Sequence, residues 1–392
     1  MLKLLALRGA PLFIRPLAIF LEGLLVPGQN VLVLVIPTAM LALTISSVPV
    51  HLAYYQGRDA DSSASAREYA SALGLILAIA VPILAGTLLA LDAYLGGVLV
   101  AATCMVFLIE KLSDESSRML EFRRQFSGWF FVQILRSVWL ILPILFFKFG
   151  ATYQLAFLAT SFGFVLIALA VFMRVTCLTP WPKLTGMRVI RANIVFLAAS
   201  FLPASYRQIP RIMITRLFPD QAHIYLATAQ LAQAVGLMFN VRFQIPYRKV
   251  IAQKTALFQR RRHRLMMRYL LFPALIAPLW LLISFWVSPL HMTDAQFAAF
   301  IVPLMVADAL TFAILAVHMD YLQWLRREVR LLPTYLTNGA LLGILLGFLQ
   351  LPIVVASENI VLTASAFTLL GLFWIIVIIR LNFRLLNASR LG

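Results

Sequence analysis

Arg207 and Arg211 stand four residues apart in SYRQIPRIMITRLFPDQAHIY (205–225), a stretch that reads as a membrane-spanning helix and its exit turn. On a helix that spacing puts both guanidiniums on one face, one turn apart. A guanidinium is a planar fork of donors. A cluster of them suits a phosphate or pyrophosphate, whose oxygens it binds bidentately. Arg15, Arg136 and Arg242 also fall within apolar segments. An arginine at the centre of a membrane helix costs about 2.5–3.5 kcal/mol. Five would cost on the order of 12–18 kcal/mol, comparable to the stability of a whole domain. Such side chains face water, a counter-ion or a ligand rather than acyl chains. Snorkelling relieves those near a span end, such as Arg242 and Arg136; Arg15, Arg207 and Arg211 have no such relief.

The acids that could neutralise them within the spans are Glu22, Glu110 and Asp308. Three carboxylates against five arginines leave positive charge over, which favours an anion-binding cavity, while structural pairing with these acids stays open as the plainer alternative. Glu22, Asp308 and Glu110 are also the candidates for ion coupling to H+ or Na+, because buried carboxylates carry protons or bind sodium in transporters. The membrane potential is a third energy source. His51, His223, His263, His291 and His318 fall near span ends or in loops, and no cluster has metal-ligand spacing. No phosphate-cradling loop of the GxxxxGK[ST] type occurs, so hydrolysis of ATP by the chain itself is not expected. Cofactors are expected to be none.

The elements that must hold these groups are helices in lipid. The 392 residues are 62% apolar and 12% charged, against roughly 25% charged in soluble domains. The apolar runs are continuous and about 20 residues long, as helices spanning a bilayer require, and lack the alternation of a membrane barrel. Cys104 and Cys177 give no disulfide framework. The first apolar run, broken by Arg15-Pro16 and without a small-residue cleavage site, reads as a retained span. Turn residues divide the chain into twelve expected spans: 4–26, 29–55, 69–90, 93–112, 127–147, 151–174, 189–217, 222–248, 267–289, 295–318, 333–352 and 359–382. The fold class expected is an all-α polytopic membrane protein.

The net charge of +18 is distributed as a membrane topology rather than as a nucleic-acid surface. Of 33 Lys and Arg, 26 are assigned to the termini and the connections after spans 2, 4, 6, 8 and 10, five to spans, and only Lys148 and Arg216 to the opposite face. By the positive-inside rule both termini are cytoplasmic. Tyr94, Trp129, Tyr153 and Trp286 fall at span ends, where aromatic belts form. The cluster Lys249, Lys254, Arg260, Arg261, Arg262 and Arg264 suits anionic lipid head groups, with docking of a cytoplasmic assembly enzyme as the sharper alternative.

The chain also repeats itself. Arg15, Pro27 and Gln29 recur 192 residues later as Arg207, Pro219 and Gln221, and Arg123-Arg124-Gln125 matches Arg326-Arg327-Glu328. Six spans per copy is an even number, so the halves are parallel, with a substrate site expected between them. The expected organisation is an N-terminal half 1–175, a cytoplasmic linker 176–188 containing Pro180-Trp181-Pro182, and a C-terminal half 189–392.

The passages RQIPRIMITRLFPDQAHIYLATAQLA and LFIRPLAIFLEGLLVPGQNVLVLVIP, set in twelve spans of two parallel halves, resemble the polysaccharide exporters of the multidrug/oligosaccharidyl-lipid/polysaccharide superfamily. The chain departs from that pattern at Tyr206-Arg207, where an acidic residue is common, and at Ile224, where a glycine precedes the tyrosine. The resemblance implies a flippase for lipid-linked glycans working by alternating access in a bacterial inner membrane. Its substrate would ride on undecaprenyl phosphate or pyrophosphate, held through Arg15, Arg207, Arg211, Arg242 and Arg136. The partners implied are the lipid-linked glycan, membrane lipids and polysaccharide assembly enzymes, and no nucleic acid. A cation/drug antiporter of the same fold, a membrane glycan polymerase or ligase, and a non-transporting scaffold are the alternatives. The expected outer loops, a few residues each, argue against an enzyme.

Overall fold

The computed structural model describes residues 2–46, 63–91, 96–122 and 125–192, together with single positions between 208 and 230 and Ala340. The expected spans beyond residue 192 lie outside the described residues, apart from those single positions. By contacts the chain divides into two units, Met1–Pro16 with Leu217–Gly392, and Leu17–Arg216.

In the first unit, Ala222, Tyr225, Leu226, Ala227, Ala229 and Gln230 are helical and buried. Most described residues belong to the second. Helix α1 (Leu2–Leu25) enters it at Leu17. It is followed by α2 (Val31–Ile45), α3 (Ser63–Leu91), α4 (Gly96–Phe122) and α5 (Phe126–Val138). A 3-10 turn at Trp139–Ile141 then leads to α6 (Leu142–Lys148), α7 (Tyr153–Thr176) and the short α8 (Gly186–Ala192).

Among the described residues four stretches are long and apolar enough to cross a membrane: Glu68–Ala90, Gly96–Leu120, Phe126–Lys148 and Tyr153–Thr176. Each overlaps an expected span. The backbone turns left-handed at Gly28 (φ +79°), between α1 and α2, and at Gly150 (φ +91°), between α6 and α7, a region other residues enter only with strain.

Helix α4 is the centre of the unit. Its apolar window is 61% buried, against 28% for α3 and for α7. Tyr69, Ala72, Leu73 and Ile76 of α3, Leu112 and Met119 of α4, and Ala168 and Phe172 of α7 form one core. The outward faces of α3 and α7 show Ile83, Leu89, Leu155 and Phe162. In water those faces would be an aggregation hazard; in lipid they need no covering.

The structure corrects one boundary. The fourth span, expected to end at residue 112, continues as helix to Phe122. The run EKLSDESSR (110–118) has the charge density of a loop. Lys111 and Glu115, and Asp114 and Arg118, pair at i,i+4, and Glu110 pairs with Arg136 of α5, so the helix continues through these charges. Lys111, at the end of the expected span and counted with the connecting charges, is fully buried. Asp114 and Glu115 thereby join Glu110 as acids within a span.

Candidate functional site

Three polar constellations lie in the second unit. The first is built on Glu22, whose side chain is wholly buried near the end of α1. The chain reverses through Val26–Gln29 and starts α2 at Val31. The backbone N–H of Leu32 donates to both Glu22 carboxylate oxygens, at 2.8 and 3.1 Å. Asn30, the residue in capping position, makes no side-chain cap of its own. Glu22 therefore serves α2 as a cap supplied from another helix. Negative charge at a helix N-terminus is favoured, and an orphan N–H is satisfied. The Tyr153 hydroxyl, at the start of α7, donates to Glu22 Oε1 at 2.8 Å. Tyr153 is 3% exposed, so its place at a span end serves this carboxylate and not the expected aromatic belt.

The second constellation runs along α4 in two ladders. Glu110, Asp114 and Arg118 succeed one another at one turn each. Arg136 of α5 pairs closely with Glu110 and lies 3.7 Å from Asp114, while Arg118 Nε donates to Asp114 at 2.7 Å. Beside them, Lys111 pairs with Glu115 at 2.9 Å. Lys111 Nζ donates to the Ser46 carbonyl beyond α2, at 3.2 Å. The Tyr69 hydroxyl of α3 donates to Glu115 at 2.7 Å. Gln133 Nε2 of α5 donates to Ser117 Oγ at 2.8 Å. Three carboxylates thus meet three cations, and the set ties α2, α3 and α5 to α4. Arg136, a candidate ligand for an anionic head group, stands here as the counter-ion of Glu110, a candidate for ion coupling.

The third lies on the segment that carries Arg211. Gln208, Arg211 and Thr215 are helical and buried, at 2%, 2% and 3% exposure. Their spacing, i, i+3 and i+7, places them on one stripe of a helix. Thr215 Oγ1 is satisfied within the helix, donating to the Ile212 carbonyl at 2.9 Å. The Gln208 side-chain oxygen is buried with no hydrogen-bond partner, and Arg211 has interactions of its own. Arg15 is half-buried in the other unit and is likewise engaged. Arg207, Arg242 and Asp308 lie outside the described residues.

Sequence reasoning missed Lys111, Asp114, Glu115, Tyr69, Tyr153 and Gln208. The i,i+4 pairs Lys111/Glu115 and Asp114/Arg118 were the available signal for the α4 ladders. Nothing in a single sequence marks Tyr153 as the partner of Glu22. Among the described residues no group of three His, Cys, Asp or Glu side chains is placed to hold a metal ion.

No protein-family model matches the chain, and no curated protein sequence does. Two solved structures of multidrug resistance MATE family transporters of the MOP superfamily are similar over almost the full length. The inward-facing one has a TM-score of 0.47 and 11% identity, covering 99% of this chain and 96% of its own. The outward-facing one has a TM-score of 0.46 and 12% identity, covering 99% and 97%.

Proposed function

We propose that the chain is a membrane transporter, specifically a flippase that moves an anionic lipid-linked saccharide between leaflets by alternating access. Arg211, with Arg207, Arg15 and Arg242, would hold the phosphate of the carrier lipid. The observation that carries this reading is the buried polar stripe of Gln208, Arg211 and Thr215. A buried amide oxygen without a partner and a buried guanidinium on one helix face are expensive to maintain for packing alone. A ligand rich in hydroxyls supplies a donor to the Gln208 oxygen, and its phosphate is attracted by the guanidinium charge on the same face.

The two parallel halves, 1–175 and 189–392, remain our proposal for the moving parts, as do the bacterial inner membrane as location and cytoplasmic termini. Arg136 becomes the weakest member of the ligand set, since Glu110 and Asp114 already occupy its fork. The antiporter alternative calls for a carboxylate with acceptors to spare for an organic cation. The buried acids Glu22, Glu110 and Glu115 each hold donors from the protein, which favours the anionic substrate.

The test is translocation of lipid-linked glycan in cells or proteoliposomes by the Arg207→Ala/Arg211→Ala protein. Losing a charge-assisted contact of about 1.5–3 kcal/mol corresponds to a roughly ten- to hundredfold loss per arginine. Unchanged translocation, with the protein made at normal level, would overturn the reading. Covalent change of the glycan by purified protein would replace it with the polymerase or ligase.

A further inference from the structure

The connection after α7 is built as a fixed part of the second unit. Cys177 closes α7 in the left-handed conformation, φ 57°, and its N–H donates to the Met173 carbonyl at 2.8 Å. The Leu178 N–H donates to Thr176 Oγ1 at 3.2 Å, that of Trp181 to the Thr179 carbonyl at 2.8 Å, and that of Gly186 to the Lys183 carbonyl at 3.0 Å. Leu178, Val189 and Ile190 pack onto the core shared by α3, α4 and α7.

Two glycines set the segment against α3. A Cβ on Gly74 would lie 2.6 Å from Pro182 N and 2.7 Å from the Pro180 carbonyl oxygen; one on Gly186 would lie 2.5 Å from Ala72 N. Backbone meets backbone at both places. Gly74 is six residues inside Glu68, the first residue of the α3 span, or about 9 Å along the helix axis. The connection is therefore held against the first two turns of the α3 span.

With Leu178, Val189 and Ile190 turned inward, the other side shows Trp181 at 69% and Leu184 at 86% exposure. Around them Arg174, Lys183, Arg188 and Arg191 are exposed. No Asp or Glu occurs between residues 174 and 191. Trp belongs at the membrane–water interface, and basic side chains there attract anionic lipid. We infer that the pinned connection 177–191 is a binding surface for anionic phospholipid head groups of the surrounding bilayer. Trp181 and Leu184 enter at the head-group boundary, and Lys183, Arg188, Arg191 and Arg174 meet the phosphates.

The experiment places an environment-sensitive fluorophore on Leu184→Cys in a Cys104→Ala/Cys177→Asn background, with the full chain in nanodiscs. Quenching by brominated phosphatidylglycerol is compared with quenching by brominated phosphatidylcholine at equal mole fraction. The result expected is stronger quenching by the anionic lipid. Lys183→Gln, Arg188→Gln and Arg191→Gln, all at exposed positions, should each lower that preference by up to about fivefold, the equivalent of about 1 kcal/mol per basic residue. Equal quenching by the two lipids overturns the inference, as does a preference the glutamine variants leave intact. Absence of quenching by either lipid overturns it too, and means that water or protein covers the segment.

Discussion

The Tyr153 hydroxyl lies 2.8 Å from the Glu22 carboxylate, joining the start of α7 to the end of α1 across 131 residues. The same carboxylate caps α2 through Leu32. One buried acid thus holds three helix ends at one side of the unit. This geometry separates two roles for Glu22, as a structural cap and as a coupling carboxylate.

Substitution at Glu22 distinguishes them. Glu22→Ala leaves the Leu32 N–H and the Tyr153 hydroxyl buried without an acceptor, at about 1–3 kcal/mol each. Glu22→Gln keeps one acceptor and loses only the charge. A cap predicts a large fall in Tm for Glu22→Ala, a small one for Glu22→Gln, and transport by Glu22→Gln that follows the amount of folded protein. A coupling carboxylate predicts a stable Glu22→Gln protein that does not transport. Thermal unfolding in detergent, measured beside transport, decides.

The ladder on α4 makes a prediction of opposite sign for single and multiple changes. Lys111→Met removes the cation paired with buried Glu115, and breaking such a pair costs about 3–5 kcal/mol. Replacing the set together, as Lys111→Met/Glu115→Leu/Tyr69→Phe, removes the desolvated charges and the orphan hydroxyl at once. That variant should be close to the parent in stability, or above it. Equal destabilisation by the single and the triple change would show that the pair contributes through packing.

Arg136 offers a direct comparison with Arg211. Its close pairing with Glu110 predicts that Arg136→Ala is destabilising by several kcal/mol, because that buried acid loses its counter-ion, while Asp114 keeps Arg118. Adding Glu110→Gln should recover part of that loss. If Arg136 instead bound substrate, the single variant would stay folded and lose transport, and Glu110→Gln would not rescue it. Expression level, Tm and transport of the two variants tell the outcomes apart.

Four apolar helices of the second unit, Glu68–Ala90, Gly96–Leu120, Phe126–Lys148 and Tyr153–Thr176, were readable from apolar runs and turns, since burial in lipid imposes one uniform demand over about 20 residues. What was not readable is how charges satisfy one another. The segment 110–118 looked like a loop because its charge density was weighed without its spacing. Lys111/Glu115 and Asp114/Arg118 are local pairs and lie within reach of sequence reasoning. Glu110 with Arg136, and Glu22 with Tyr153, depend on how separate helices pack, and single-sequence periodicity carries nothing about that. Of the five arginines counted in the sequence, Arg136 belongs to a cluster with Glu110 and Asp114, Arg15 and Arg211 are engaged, and Arg207 and Arg242 lie outside the described residues.

The glycine contacts at the connection give the last prediction. Gly74→Ala and Gly186→Ala each set a methyl group against backbone atoms 2.5–2.7 Å away. Backbone cannot swing aside as a side-chain tip can, so helix α3 and the connection must separate. Overpacking of this kind costs about 1–3 kcal/mol. A Gly128→Ala control should be milder, because the nearest atom there, at 3.2 Å, is the end of the Leu120 side chain, which can rotate away. Limited proteolysis provides the local readout. Faster cleavage at Lys183 in the two alanine variants, and unchanged cleavage there in Gly128→Ala, is the outcome expected of a connection held by these notches. Equal cleavage in all three would mean that the hydrogen bonds from Cys177 to Gly186 suffice to hold it.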